Sequence, residues 1–102
     1  MAELVFSTHA GTKRRPVVVV YDGGDDDLLV VPVTTHASRT TYDIPLAEWQ
    51  QAGLRGASVV RMEKLATIAK TTVVHEIGRL SAKDWPVAEA ALQQLFSAIL
   101  DQ

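Results

Sequence analysis

Arg15-Pro16-Val17-Val18-Val19-Val20-Tyr21-Asp22-Gly23-Gly24-Asp25-Asp26-Asp27-Leu28-Leu29-Val30-Val31-Pro32-Val33-Thr34 is the stretch that decides the fold. Its β-branched density favours a strand over a helix. Residues 17–20 are apolar on both faces, so this strand has to be covered on both sides, at the centre of a strongly curved sheet or between layers. Asp22-Gly23-Gly24-Asp25 is a tight-turn signal, because glycine accepts the positive φ such turns demand. Residues 28–34 then return as the hairpin partner. Pro32 removes a ladder donor and predicts a bulge, a bend or a sheet edge at that point.

Outward from this hairpin the elements are shorter. Upstream, residues 2–6 read as a short extended start, and the polar residues 7–13, with Gly11, read as a hairpin loop. Downstream, residues 35–41 read as an exposed loop before a short strand at 41–44. Pro45 is expected to open a helical turn or two that Gly53 ends. A strand region is expected from Ser58 to about Ile68, a helical turn or loop over 71–76, and a last short strand at 77–80. Ser81 and Asp84 resemble a capping box at the head of a C-terminal helix, with Pro86 in its first turn. Ala88, Leu92, Leu95, Phe96 and Ile99 recur at helical spacing on one of its faces. The elements make an α+β domain, most simply a curved antiparallel sheet packed against helices.

The chain has 102 residues, of which 47% are apolar and 22% charged, which fits one globular domain spanning residues 1–102. At this size a dimer interface would add usefully to a modest core. Cysteine is absent, which rules out disulfides, thiolate zinc sites and a thiol nucleophile. Together with the lack of a long apolar run or a leader-like N-terminus, this leads to the expectation of a cytoplasmic, soluble protein with no membrane partner. A net charge of −2 argues against a general nucleic-acid coat. Charge is nevertheless segregated: Lys13, Arg14 and Arg15 form a basic step, and Asp22, Asp25, Asp26 and Asp27 an acidic turn at the other end of the same strand.

Most catalytic chemistries are excluded by spacing. His9, His36, His75 and the aspartate run match no zinc motif, and consecutive aspartates cannot all aim at one ion, so neither a metal nor a cofactor is expected. There is no nucleophile elbow, and Gly23-Gly24 lies in an acidic turn that would repel phosphate. Arg15 and Thr34 remain, on two strands joined by one hairpin. Pro16 holds the Arg15 backbone extended, and a guanidinium offers a planar fork of donors that matches phosphate oxygens. If Val20 and Val30 sit close to the turn, a cation and a hydroxyl meet at the hairpin's far end. Both residues also have a bland reading, as a solvated strand entry and a strand-end threonine.

Residues 6–20, Phe6-Ser7-Thr8-His9-Ala10-Gly11-Thr12-Lys13-Arg14-Arg15-Pro16-Val17-Val18-Val19-Val20, resemble the loop and Arg-Pro strand of MazF/PemK-like toxins. Pro32-Val33-Thr34 is similar to that family's Pro-Ile-Thr step. Further similarity runs through Tyr42-Asp43-Ile44-Pro45-Leu46, Trp49, Ala52-Gly53-Leu54, Ser58-Val59-Val60-Arg61, Lys64-Leu65-Ala66-Thr67-Ile68 and Ile77-Gly78-Arg79-Leu80-Ser81. The chain departs from the family at its N-terminus, where a Gly-Asp-Ile-type strand start is missing. The resemblance implies a small SH3-like barrel of the CcdB/MazF type with a short helix and a C-terminal helix, acting as a homodimer. It further implies the toxin of a type II toxin-antitoxin system, held in check by a cognate antitoxin. The activity it implies is sequence-specific, metal-independent cleavage of single-stranded RNA, an mRNA interferase that leaves a 2′,3′-cyclic phosphate and so inhibits growth.

By the same resemblance Arg15 corresponds to the catalytic arginine and Thr34 to the catalytic threonine. Lys13, Arg14 and Arg39 are expected to guide the RNA backbone, and His9 and His36 to border the substrate as candidates for proton transfer. His75, beside Val73 and Val74, is expected to be structural, and Trp49 and Trp85 to serve packing rather than base stacking. Two other readings stay open: a gyrase-inhibiting, CcdB-like toxin, and a catalytically silent binding module of the same fold. The Arg15 and Thr34 pair favours the enzyme over both.

Overall fold

The computed structural model describes residues 2–102. Strands β1 (Leu4–Ala10), β2 (Lys13–Tyr21), β3 (Asp27–Thr34), β4 (Asp43–Pro45), β5 (Val59–Arg61), β6 (Ala66–Ala69) and β7 (Val73–Arg79) precede one helix, α1 (Asp84–Leu100). They form one antiparallel sheet in the order β4-β5-β3-β2-β1-β7, with β6 added to β3. No helix among the described residues is long and apolar enough to cross a membrane.

β2 is central, between β1 and β3, and both of its faces are buried. Val18 belongs to the larger core cluster, with Val5, Val31, Val33, Val60, Met62 and the buried residues of α1. Val17 and Val19 belong to a second cluster with Leu4, Phe6, Leu28 and Val30. The sheet is therefore apolar on two sides at once, which is what an unbroken valine run demands.

Pro32 stands where β3 changes partner. Asp27 to Val30 pair with β6, Val33 and Thr34 pair with β5, and Pro32 falls between the two ladders. With no N–H to place, proline costs nothing there, and the partner change bends the sheet.

Several expectations are corrected. The polar segment after Phe6 is strand, not loop: β1 continues to Ala10, and the β1/β2 hairpin turns on Gly11 and Thr12 alone, with Gly11 at φ 66°. The first strand is therefore not short, and it lies inside the sheet between β2 and β7. Its polar residues Ser7 and Thr8 are buried, and Thr8 Oγ1 donates to the Arg15 carbonyl at 3.2 Å, which compensates the burial of that hydroxyl.

Pro45 ends β4 instead of opening a helix, and residues 47–53 form hydrogen-bonded turns. Their bonds are of mixed span: Ala52 N–H to Glu48, Gly53 N–H to Gln50 and Leu54 N–H to Trp49. A segment this short cannot propagate a regular helix by itself, and tertiary contacts fix it instead. The region expected as one strand from Ser58 is split into β5 and β6 by a 3-10 turn at Met62–Lys64. A second 3-10 turn, Lys70–Thr72, leads into β7, which starts at Val73 rather than Ile77.

The capping box forms only by half. Ser81 Oγ accepts from the Asp84 N–H at 3.1 Å, but the Asp84 carboxylate does not reach back; it accepts from the N–H groups of Ala47 (2.9 Å) and Glu48 (2.8 Å). Helix and turn are thus tied through one buried carboxylate. Pro86 sits in the first turn, as expected. The helix buries Ala88 and Ala91 and packs Trp85, Leu92 and Leu95 partly, while Trp49 packs partly from the turn. Phe96 and Ile99, expected on the covered face, are instead 42% and 49% exposed.

Candidate functional site: a basic cavity at the open end of the sheet

The three strands β2, β1 and β7 carry the floor of a cavity of about 460 Å³. Pro16, Ser7 and His75 stand in one cross-strand row, since Ser7 pairs with both of the others. Arg14 and Arg15 enter from β2, and Thr35 from the end of β3. The opposite wall is the segment from Gly53 to Ser58, with Ile77 beneath it.

That wall sits close for a backbone reason. Gly53 adopts φ 84°, and a Cβ on it would lie 2.6 Å from the Ile77 carbonyl oxygen. A Cβ on Gly78 would run into the carbonyl oxygen of Ala52. Two glycines thus let the turn settle directly onto β7. Ser58 Oγ donates to the Gly56 carbonyl at 2.7 Å and shapes the rest of the wall, which carries Arg55 at its exposed rim.

The lining holds Arg14, Arg15, Arg55 and His75, and no carboxylate among the described residues. None of these arginines joins an ion pair; the salt bridges among the described residues are Arg61 to Asp43, Lys70 to Asp22 and Arg79 to Glu3. Unpaired guanidiniums with hydroxyl neighbours are suited to phosphate oxygens.

The expected residues are distributed unevenly around this cavity. The β2/β3 ladder ends at the pair Val17 and Pro32, two residues short of both Arg15 and Thr34. Arg15 lines the cavity; Thr34 does not, although its neighbour Thr35 does. Thr34 Oγ1 accepts from the His36 N–H at 3.2 Å, which leaves its own O–H free to donate. β3 ends at Thr34, so His36 turns away in a bend instead of extending the strand face.

His9 lies in β1 rather than in a loop, opposite Arg14, and Lys13 pairs with Ala10 beside the hairpin turn. Arg39 is anchored by its backbone, its N–H donating to Asp43 Oδ2 at 2.8 Å, and stands outside the lining. Of the histidines only His75 is in the cavity. Its neighbours Val73 and Val74 point to a structural role, but the strand is irregular there: Thr8 pairs with Val73 and Ser7 with His75, so one extra residue enters β7 between them. Val73 therefore packs on the second core cluster while His75 faces the cavity. Arg55 was missed as well, since nothing local distinguishes an exposed arginine in a turn.

The fold is shared with known proteins. A structure described as an endoribonuclease in complex with its cognate antitoxin from a mycobacterial species superposes with a TM-score of 0.83 over 95% of this chain and 94% of that one, at 15% identity. The Mycobacterium tuberculosis toxin MazF-mt6 gives 0.79 at 23% identity, covering 92% and 96% of the two chains. A MazE-MazF complex from Deinococcus radiodurans gives 0.77 at 18% identity, covering 93% and 92%. No curated protein matches the sequence. The family described as PemK-like, MazF-like toxin of type II toxin-antitoxin system matches residues 3–96. With that match spanning nearly all of its length, the chain belongs to the PemK-like, MazF-like toxins of type II toxin-antitoxin systems.

Proposed function

We propose that this chain is a metal-independent, sequence-specific endoribonuclease that cleaves single-stranded RNA. The observation that carries the reading is the cavity itself, lined by three unpaired arginines and a histidine with no carboxylate among the described residues, in a member of a toxin family. Similar folds described as an endoribonuclease with its antitoxin support it.

In this reading the ribose 2′-hydroxyl attacks the adjacent phosphate and leaves a 2′,3′-cyclic phosphate and a 5′-hydroxyl. Arg15 neutralises charge that grows on the phosphoryl oxygens, and the Thr34 hydroxyl donates a further hydrogen bond. Arg14 contacts the RNA backbone inside the cavity. Lys13, His9, His36 and Arg39 extend that contact along the outer path. The protein acts as a homodimer in the cytoplasm and is silenced by a cognate antitoxin, a segment that is disordered alone and folds onto the basic surface. Phe96, Ile99 and Leu100, all exposed on α1, supply apolar area for such a protein contact.

The chemistry of the product ends tests this reading. Fragments of a long single-stranded RNA are expected to accept label at the 5′ end from a kinase without prior phosphatase treatment. A single 2′-deoxy substitution at the cut position is expected to block cutting there. Fragments with 5′-phosphates, or cutting that survives the 2′-deoxy substitution, would overturn the mechanism. Intact RNA together with inhibited gyrase supercoiling would favour the CcdB-like reading.

A further inference from the structure

We infer that His75 accepts the proton of the attacking 2′-hydroxyl; the inference rests on the RNA cleavage proposed above and supplies its missing base. Arginine stays protonated near neutrality, so Arg15 can stabilise charge but cannot take up a proton. Imidazole is the side chain whose ordinary titration lies between pH 5 and 8. The chain has three histidines, and among them His75 alone lines the cavity.

Both groups line the same cavity. His75 and Pro16, the neighbour of Arg15, flank Ser7 in a cross-strand row, two interstrand spacings or about 10 Å apart. Arg14 shares the Pro16 face of β2 and Arg15 lines the same cavity, so guanidinium and imidazole border the one space a phosphodiester would enter. The extra residue in β7 is what aims His75 inward, and bulges of this kind often re-aim a side chain beside a reactive site. The charged residues that line the cavity with His75 are Arg14 and Arg15 from β2 and Arg55 from the turn; Ser7 pairs with it from β1.

The step balances without another reagent than water. The 2′ O–H proton passes to the imidazole nitrogen as O2′ bonds to phosphorus. The bond from phosphorus to O5′ breaks, its electron pair leaves with O5′, and that oxygen takes a proton from water. Base catalysis of this type contributes roughly 10²- to 10⁴-fold in rate.

The test is single-turnover cleavage of one RNA between pH 5 and 9 by wild type, His75→Gln and Arg15→Ala, beside binding of the same RNA carrying 2′-deoxyribose at the cut. His75 is exposed, so His75→Gln should keep the wild-type melting temperature; His75→Asn replaces it if it does not. The expected result is a rate about 10²-fold lower or worse in His75→Gln, with unchanged binding and loss of the acidic limb of the pH profile. Added imidazole is expected to restore part of the rate to His75→Ala. A wild-type rate and pH profile in His75→Gln would overturn the assignment. So would a rate loss matched by an equal binding loss without imidazole rescue. If wild type itself leaves RNA intact, both readings fall; if wild type cuts, Arg15→Ala does not and His75→Gln does, only this one falls.

Discussion

The two ends of β2 carry opposite charge and are built on opposite terms. At the acidic end, Asp22 accepts the Gly24 N–H at 2.8 Å and an ion pair from Lys70 Nζ at 3.1 Å. Asp25 accepts the Asp27 N–H at 3.0 Å, and the Asp26 carbonyl accepts the Lys70 N–H at 2.8 Å. At the basic end Lys13, Arg14 and Arg15 are exposed and join no ion pair among the described residues. One end engages the carboxylates of Asp22 and Asp25 in its own turn; the other leaves its cations without an ion pair. The overall charge of −2 is therefore no guide to the local charge around the cavity.

Arg15→Ala should separate the two ends most sharply. Removal of one charge-stabilising donor costs about 10²- to 10³-fold in rate, so RNA cleavage is expected to fall by at least that much. The melting temperature should stay at the wild-type value, because the side chain is exposed. A proportionate loss of stability would show that the basic end is structural after all.

Gly78→Ala attacks the wall rather than the charges. The new methyl meets the Ala52 carbonyl, a backbone atom that cannot swing aside, so the turn must move. Overpacking of this kind costs about 1–3 kcal/mol, visible in chemical denaturation. RNA affinity should fall with it, since Arg55 moves with the turn. Unchanged stability and affinity would mean that the close approach does not hold the wall.

Arg55→Ala should act on binding alone. The slope of log affinity against log salt is expected to shrink by about 0.7, the value for one neutralised phosphate on a single strand. An unaltered slope would remove Arg55 from the RNA path.

Neutralising the acidic end should do least. The Gly24 N–H and Lys70 hold the Asp22 carboxyl below its ordinary value of 3.8. A lowered folded-state pKa stabilises the fold above the ordinary carboxylate range, and this contribution is lost as pH falls through the lowered value. Asp22→Asn should therefore be slightly less stable than wild type at neutral pH, and the two should converge in acid. RNA cleavage should not change; a marked change would give the acidic turn a role in substrate handling.

The sequence makes the centre of the sheet legible and loses its edges. The valines of β2, Pro32 at the partner change and the glycine turn each impose a backbone requirement that local chemistry states outright. Ser7 and Thr8 hid a strand, because polar residues inside a sheet look like loop until their partners are known. Pro45 and Gly53 were read by helix rules, whereas Asp84, distant in sequence, holds the intervening turn. In the cavity, Arg14 and Arg15 were legible from the Arg-Pro strand. His75 is not, since residues 71–76 read as a helical turn or loop and its valine neighbours suggest packing, whereas it lies in a strand that carries a register shift.

Cleavage of a long single-stranded RNA in the presence of EDTA, with ends mapped for wild type and Arg15→Ala side by side, tests the central claim most directly. Discrete cuts by wild type that persist in EDTA and vanish in Arg15→Ala are the predicted result. Intact RNA with wild type across several sequences, cutting abolished by EDTA, or equal cutting by Arg15→Ala would contradict it.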